Sequence, residues 1–360
     1  MKSKNYNKFW QQIHNSAKNK GFPLRVMFEL TYRCNFFCRH CYVPLHYRKY
    51  KELKTKEIFS ILEQLKDIGC FYLGFTGGEP FVRKDIFKIL HHAKKLGFEI
   101  IIYTNGSLID RKSADELALI SPNKIDITIP AMTEIAFGQI IGANGYRDKV
   151  FKAIELLHKR KIALGFKTCI LKENKSQITD IHNFVESLGA KHHLDYMLSH
   201  CLDGSKEPYK YKVSALSTDV ENQDEYGSTG KVGCENNKSK QSSSLFYCGV
   251  GKSQAAITPF GELKLCVMID YPKYKILDSS LKDCWQRLKR SVDNIKPDQN
   301  YQCDTCELND FCHWCPARSW LENKDFVSCE PICRQHALAQ MKIYKKQNSV
   351  SAKLTFAEVD

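Results

Sequence analysis

Three cysteines, Cys34, Cys38 and Cys41, stand in the stretch TYRCNFFCRHCYVP with gaps of three and two residues. Thiols this close together suit metal ligation. A structural centre closes with four protein ligands, whereas three leave one metal position open to a substrate. A zinc knuckle completed by His40 or His46 meets the same spacing. A second field lies far along the chain. In CGVGKSQAAITPFGELKLC, twelve residues separate Cys248 from Gly261 and four separate Gly261 from Cys266. CDTCELNDFCHWC then supplies Cys303, Cys306, Cys312 and Cys315, and SCEPIC supplies Cys329 and Cys333. These paired short spacings fit tetrahedral thiolate sites, and spacing alone does not separate zinc from iron-sulfur.

The compartment bears on that choice. The first apolar run, PLRVMFEL, is short and follows a polar, basic stretch, so no secretory or membrane-spanning segment is read here and a cytoplasmic location is expected. In a reducing cytosol the 16 cysteines point to metal or redox chemistry rather than to a disulfide framework. The 360 residues, 43% hydrophobic and 26% charged, have the composition of an ordinary globular protein. A net charge of +14 invites a nucleic-acid reading, but the Lys and Arg residues are scattered rather than gathered in one stripe.

Positioning these cysteines requires a scaffold. Strand-like runs fall at 24–30, 72–77, 99–106, 124–131, 163–170 and 193–200, and stretches such as TKEIFSILEQLKDIG and DKVFKAIELLHKRK between them carry apolar residues at helical spacing. Strands alternating with helices predict an α/β fold, a parallel sheet with right-handed crossovers, either open or curved into a partial barrel. Chemistry in such folds sits beyond the C-terminal ends of the strands. The cysteine triplet follows the first strand and TGGEP, at 76–80, follows the second, which puts both on one rim. Taken alone, TGGEP is a turn. The expected organisation is a basic extension at 1–23, the α/β core at 24–204, a Ser- and Asn-rich linker at 205–247, a cysteine-rich domain at 248–340 that needs metal to fold, and a tail at 341–360.

With TGGEP at the second strand end, the triplet resembles the radical S-adenosylmethionine (SAM) superfamily, and the later cysteines resemble its SPASM extension. The resemblance implies a partial (β/α)6 barrel followed by a small iron-sulfur domain. Cys34, Cys38 and Cys41 would carry a 4Fe-4S cluster whose fourth iron is chelated by SAM. His40 would lie near the adenine, Gly77 and Gly78 would admit the methionine amino group, Glu79 would support that contact and Pro80 would end the strand. Asn105, in an Asn-Gly pair that also reads as a turn, matches a recurrent family position. Thr128 stands where relatives contact ribose, although a β-branched residue in a strand needs no such reason. Lys167, in an apolar strand, would meet the SAM carboxylate or else face solvent.

By the same resemblance two auxiliary clusters are expected. Cys303, Cys306, Cys312 and Cys333 would hold one, with Cys329 the alternative to Cys333. Cys248, Cys266 and Cys315 would hold the other, with Cys234 as a candidate fourth ligand. Two residues rather than the family's three separate Cys312 from Cys315. Three bound clusters would lower the formal charge to roughly +9. Cys70 and Cys169 read as core residues, and Cys201 and Cys284 are unassigned.

The implied activity is reductive cleavage of SAM and hydrogen abstraction from a peptide or small protein, with a reductant such as flavodoxin or ferredoxin and a separate leader-recognition protein as partners. A formylglycine-forming sulfatase maturase is an alternative, weakened by Val267 where those enzymes place Asp. Cofactor biosynthesis is another. From a different class, a zinc-ribbon nucleic-acid binder without catalysis predicts zinc and salt-sensitive binding, and it leaves TGGEP unexplained.

Overall fold

The computed structural model describes residues 2–213 and 245–355. Helix α1 (Lys2–Lys20) leads into β1 (Arg25–Thr31), followed by α2 (Thr55–Asp67), β2 (Tyr72–Gly77), α3 (Ile86–Lys95), β3 (Glu99–Thr104), α4 (Arg111–Ile120) and β4 (Lys124–Thr128). Two helices, α5 (Glu134–Ile141) and α6 (Arg147–Lys159), fill the next crossover before β5 (Leu164–Cys169), α7 (Ile178–Ser187) and β6 (Lys191–Asp195). The helices form where apolar residues recur at three and four, as at Ile58, Ile61, Leu62 and Leu65 of α2. Their ends are marked locally: Asp110 caps α4 through Ser113 N at 2.7 Å, and Gly142 closes α5 in the left-handed region at φ 67°.

β1 to β6 are parallel, in the sheet order β6-β5-β4-β3-β2-β1. One face presents Val26, Phe28, Leu73, Phe75, Ile100, Ile102, Ile125 and Ile127, all fully buried with the helices. The result is the mixed α/β partial barrel expected from the alternation. The sixth strand differs from expectation: it occupies Lys191–Asp195 rather than 193–200. Asp195 ends it early by accepting a hydrogen bond from Met197 N at 3.0 Å, a local turn that competes with strand pairing.

The cysteine-rich region continues the same sheet. Strands β7 (Gln254–Ile257), β8 (Glu262–Lys264) and β9 (Lys273–Lys275) extend the order as β1-β7-β8-β9, with β7 parallel to β1 and the last two antiparallel. Helices α8 (Leu281–Asn294), α9 (Pro316–Asn323) and α10 (Pro331–Thr355) follow. This region, expected to need metal to fold, also has an apolar helix face of its own, since α8 buries Leu281, Cys284, Trp285, Leu288 and Val292 at helical steps. Those side chains join the core that also contains Val26 and Phe28. Trp285 Nε1 donates to Gly21 O at 2.8 Å, which ties α8 to the end of α1. Among the described residues no helix is long and apolar enough to cross a membrane.

Candidate active site

The loop after β1 is held from several sides. Glu52 accepts from Thr31 Oγ1 at 2.8 Å, Tyr32 N at 2.8 Å and Arg33 Nε at 3.2 Å. Arg48 donates to Cys34 O at 3.1 Å and Phe36 O at 2.9 Å. Phe37 N and Arg39 N donate to the last carbonyls of α5, Ile141 O at 2.8 Å and Ile140 O at 3.0 Å, which supplies those helix-end acceptors with partners. Cys34, Cys38 and Cys41 are therefore presented on a braced loop, and Phe36 N donates to Cys34 Sγ at 3.3 Å.

Burial pushes the Cys34 thiol up to about 11 and raises those of Cys38 and Cys41, and Cys38 also feels Cys41 and Cys34. Such thiols become thiolates only when a cation compensates, which is what iron would supply. Among the described residues no three Cys, His, Asp or Glu side chains converge on a single-ion site. A 4Fe-4S cube does not require that convergence, because each thiolate binds a different iron. The triplet fits that group.

TGGEP meets this loop directly. Gly78 N donates to Thr31 O at 2.7 Å and Glu79 N to Arg33 O at 2.9 Å. A Cβ on Gly77 would lie 2.2 Å from Thr31 O, and one on Gly78 would lie 2.3 Å from Arg33 O. The glycines are thus required first by the approach of the two strand ends. Glu79 is fully buried, and its carboxyl accepts from Phe81 N at 3.0 Å, Thr104 Oγ1 at 2.8 Å and Asn105 N at 2.7 Å. It locks the end of β2 to that of β3. Contrary to the expectation that Pro80 ends the strand, β2 stops at Gly77 and Pro80 opens a short 3-10 turn capped by Glu79.

Asn105 belongs to the cysteine site: its Nδ2 donates to Asn35 Oδ1 at 3.0 Å and lies 3.9 Å from Cys34 Sγ. Thr128 and Lys167 are register partners on β4 and β5. Lys167 is exposed rather than buried, and its ammonium stands 4.8 Å from the centre of the Tyr103 ring. An alternating strand exposes that position while burying Phe166 and Thr168. The His40 ring is held neutral, its pKa pushed down to about 4 by burial against the opposing pull of Asp195 and Glu173, and its Nδ1 has no partner.

Several residues escaped the sequence reading. Arg48, Glu52 and Ser107 carry no motif, and only the fold brings them to the cysteine loop, Ser107 by accepting from Asn35 Nδ2 within it at 2.8 Å. Cys169, assigned to the core from its apolar neighbours, packs against that core at the end of β5 opposite Asp195, with its thiol pushed up to about 12 by burial and then by Asp195. Cys201 Sγ donates to Cys41 O at 3.4 Å, Cys284 is buried against Ser279, and Cys70 sits in the core as expected.

The second field divides into two groups. Cys266, pushed up to about 12 by burial, next feels Cys315 and Cys248. Cys303, also raised to about 12 by burial, feels Cys312, Cys329 and Cys306. Cys329 therefore stands with those three thiols, while Cys333 is buried, donates to Glu330 Oε2 at 3.0 Å and also feels Cys312. Cys234 lies outside the described residues, and the described cysteines are all free thiols.

Comparison with known proteins matches residues 28–185 to the Radical SAM superfamily. The PqqA peptide cyclase of Gluconobacter oxydans is 28% identical over 169 residues, 47% of each chain, so this chain spans about half the length of that curated relative. An AdoMet-dependent heme synthase of Oleidesulfovibrio alaskensis is 20% identical over 348 residues, 86% of each chain. Streptococcus suis SuiB bound to precursor peptide SuiA superposes with a TM-score of 0.70 at 19% identity, covering 91% of this chain and 81% of its own. Native anSMEcpe with bound AdoMet gives 0.69 at 15% identity, covering 92% and 100%. At these identities the structural likeness concerns the fold: a partial barrel with a C-terminal cysteine-rich region.

Proposed function

We propose, from the premise that residues 28–185 make this chain a member of the radical SAM superfamily, that it is an enzyme that modifies a peptide or small protein at an unactivated C–H bond. The observation that carries this reading is the meeting of two strand ends, with Gly78 N and Glu79 N donating to Thr31 O and Arg33 O immediately before the Cys34–Cys41 stretch. Cys34, Cys38 and Cys41 would hold a 4Fe-4S cluster, and the Gly77–Pro80 backbone would face the amino-acid end of SAM. When bound, that pair supplies a 5'-deoxyadenosyl radical able to take hydrogen from carbon. The protein's own part is placement. Arg48, Glu52 and Glu79 hold the two loops in register, and Asn105 orients toward Cys34 Sγ.

His40, Thr128 and Lys167 are proposed to line the SAM and substrate side of the rim. Lys167, exposed and stacked on Tyr103, is available to an anionic group without first breaking an ion pair, as no salt bridge engages it among the described residues. The second cysteine field is proposed as a SPASM-type region with two auxiliary clusters, one on Cys248, Cys266 and Cys315 and one on Cys303, Cys306 and Cys312. Cys329 or Cys333 would complete the latter. Similarity to a PqqA peptide cyclase and to the fold of SuiB supports a peptide substrate, with crosslinking, thioether formation, epimerisation or another oxidation as the outcome. A flavodoxin- or ferredoxin-like reductant and a separate leader-recognition protein complete the proposal. A second reading, modification of a small molecule, is favoured by the match to an AdoMet-dependent heme synthase along 86% of both chains.

The test is iron, sulfide and zinc per chain after anaerobic reconstitution, with 5'-deoxyadenosine formation from SAM and dithionite. Roughly twelve irons are expected, falling by about four in the Cys34→Ala, Cys38→Ala, Cys41→Ala variant together with loss of 5'-deoxyadenosine. Stoichiometric zinc with little iron would return the zinc-ribbon reading. Mass spectrometry of candidate peptides then decides between peptide and small-molecule substrates.

A further inference from the structure

Glu29 and Lys264 are buried opposite charges with side chains 0% and 1% exposed, paired at 3.2 Å. They come from strands two places apart in the sheet. The register runs Met27 to Ala256 to Lys264 across β1, β7 and β8, which brings Lys264 alongside the β1 face that carries Glu29. Each partner has further bonds. Glu29 accepts from Tyr32 OH at 3.0 Å and Tyr42 OH at 2.9 Å. Lys264 Nζ donates to Val267 O at 2.9 Å.

The sequence positions of these contacts give the pair its meaning. Tyr42 directly follows Cys41, and Tyr32 precedes Cys34 by two residues, so Glu29 grips the chain on both sides of the first cysteine loop. Val267 directly follows Cys266, so Lys264 spans that cysteine from the other side. One ion pair therefore links the tyrosine side chains flanking the first cysteine loop to the backbone carbonyl that follows Cys266. Stability is a weak explanation for it, since a buried pair can often be exchanged for apolar residues of similar volume without loss. What such a pair does supply is a fixed field in a low-dielectric region, a lever by which proteins tune metal centres.

We propose that Lys264 is a positioning residue that sets the reduction potential of the centre held by Cys248, Cys266 and Cys315, and that Glu29 partly offsets it. This rests on the iron-sulfur reading of those cysteines. Reduction adds one electron to a thiolate-bound centre. A nearby ammonium favours the reduced state and raises the potential, and a carboxylate opposes this.

The experiment is a dye-mediated redox titration followed by electron paramagnetic resonance. It uses the reconstituted full-length chain carrying Cys34→Ala, Cys38→Ala and Cys41→Ala, so that only auxiliary iron reports, and the relevant signal is the one lost on Cys266→Ala. Lys264→Met is expected to make reduction of that centre about tenfold less favourable, a fall of about 59 mV for a one-electron couple. Glu29→Gln, close to isosteric, is expected to move it the opposite way, and Lys264→Arg to restore the parent value within about threefold. Iron content measured alongside separates tuning from collapse of the site.

An unchanged potential in Lys264→Met at full iron content, or shifts of the same sign in Lys264→Met and Glu29→Gln, would overturn the proposal. If Lys264→Met fails to fold, Glu29→Gln decides alone, and no upward shift refutes it. A parent chain that takes up zinc and no auxiliary iron overturns the iron-sulfur reading and this proposal together. A parent that holds the iron while the variants leave its potential unmoved overturns only the proposal.

Discussion

At the end of β2, the carboxyl of Glu79 gathers donors from three places, Phe81 N, Thr104 Oγ1 and Asn105 N. Removing it in Glu79→Ala leaves those groups unpaired in a buried site, and a loss of roughly 2–4 kcal/mol is expected in urea unfolding. Burial raises its pKa from 4.5 to about 7 despite those bonds. Between these values the folded chain holds the extra proton. The carboxyl's contribution to stability is therefore complete below pH 4.5 and is lost as the pH rises through about 7. Unfolding free energies measured from pH 4.5 to pH 7.5 should decline less steeply in Glu79→Gln than in the parent; parallel profiles would refute this assignment. At this scale the sequence was readable where chemistry is local. Cys34, Cys38 and Cys41 announce themselves by spacing, whereas Arg48 and Glu52 reach the same loop from a connection with no motif of its own. For Lys167 the sequence leaves a buried and a solvent-facing orientation open, and the alternation of β5 turns it outward onto Tyr103.

The strand ends of β1 and β2 approach so closely that backbone, rather than side chains, forms the joint. Gly78→Ala would place a methyl group 2.3 Å from Arg33 O. The loops would have to part, and a loss of roughly 3 kcal/mol or more is expected, with iron uptake falling toward that of the triple cysteine variant. Gly97 provides the contrast, since its φ is +90° but a Cβ there meets nothing within 4 Å. Gly97→Ala should cost only the backbone strain, roughly 1–2 kcal/mol, and leave iron uptake intact. Equal effects from the two substitutions would count against the joint. Apolar runs and helical spacing made β1 to β5 and their covering helices legible in advance. The displacement of β6 was not, because a single Asp195 side-chain bond ends that strand before its apolar residues do.

At the largest scale, the nine strands among the described residues form one sheet in which β1 has β2 on one side and β7 on the other. The sequence suggested two bodies joined by a linker, since a change in composition is visible along a chain and a pairing across more than 200 residues is not. A chain ending at residue 213 would lose Ile257, Leu263, Leu265, Trp285 and Leu288 from the core and expose a free edge of β1. It should self-associate at micromolar concentration in light scattering; a stable monomer with the parent's thermal transition would contradict the shared core. Continuity of the sheet also dictates a schedule during synthesis. From Thr31 at the end of β1 to Gln254 at the start of β7 the ribosome adds 254 − 31 = 223 residues, which takes roughly 10–45 s at ordinary elongation rates. Through that interval one side of the first strand waits for its neighbour, and the thiols beyond it wait with it. The nascent chain, rather than the finished protein, is therefore where a chaperone or, on the proposed reading, a cluster-delivery protein would find this edge open.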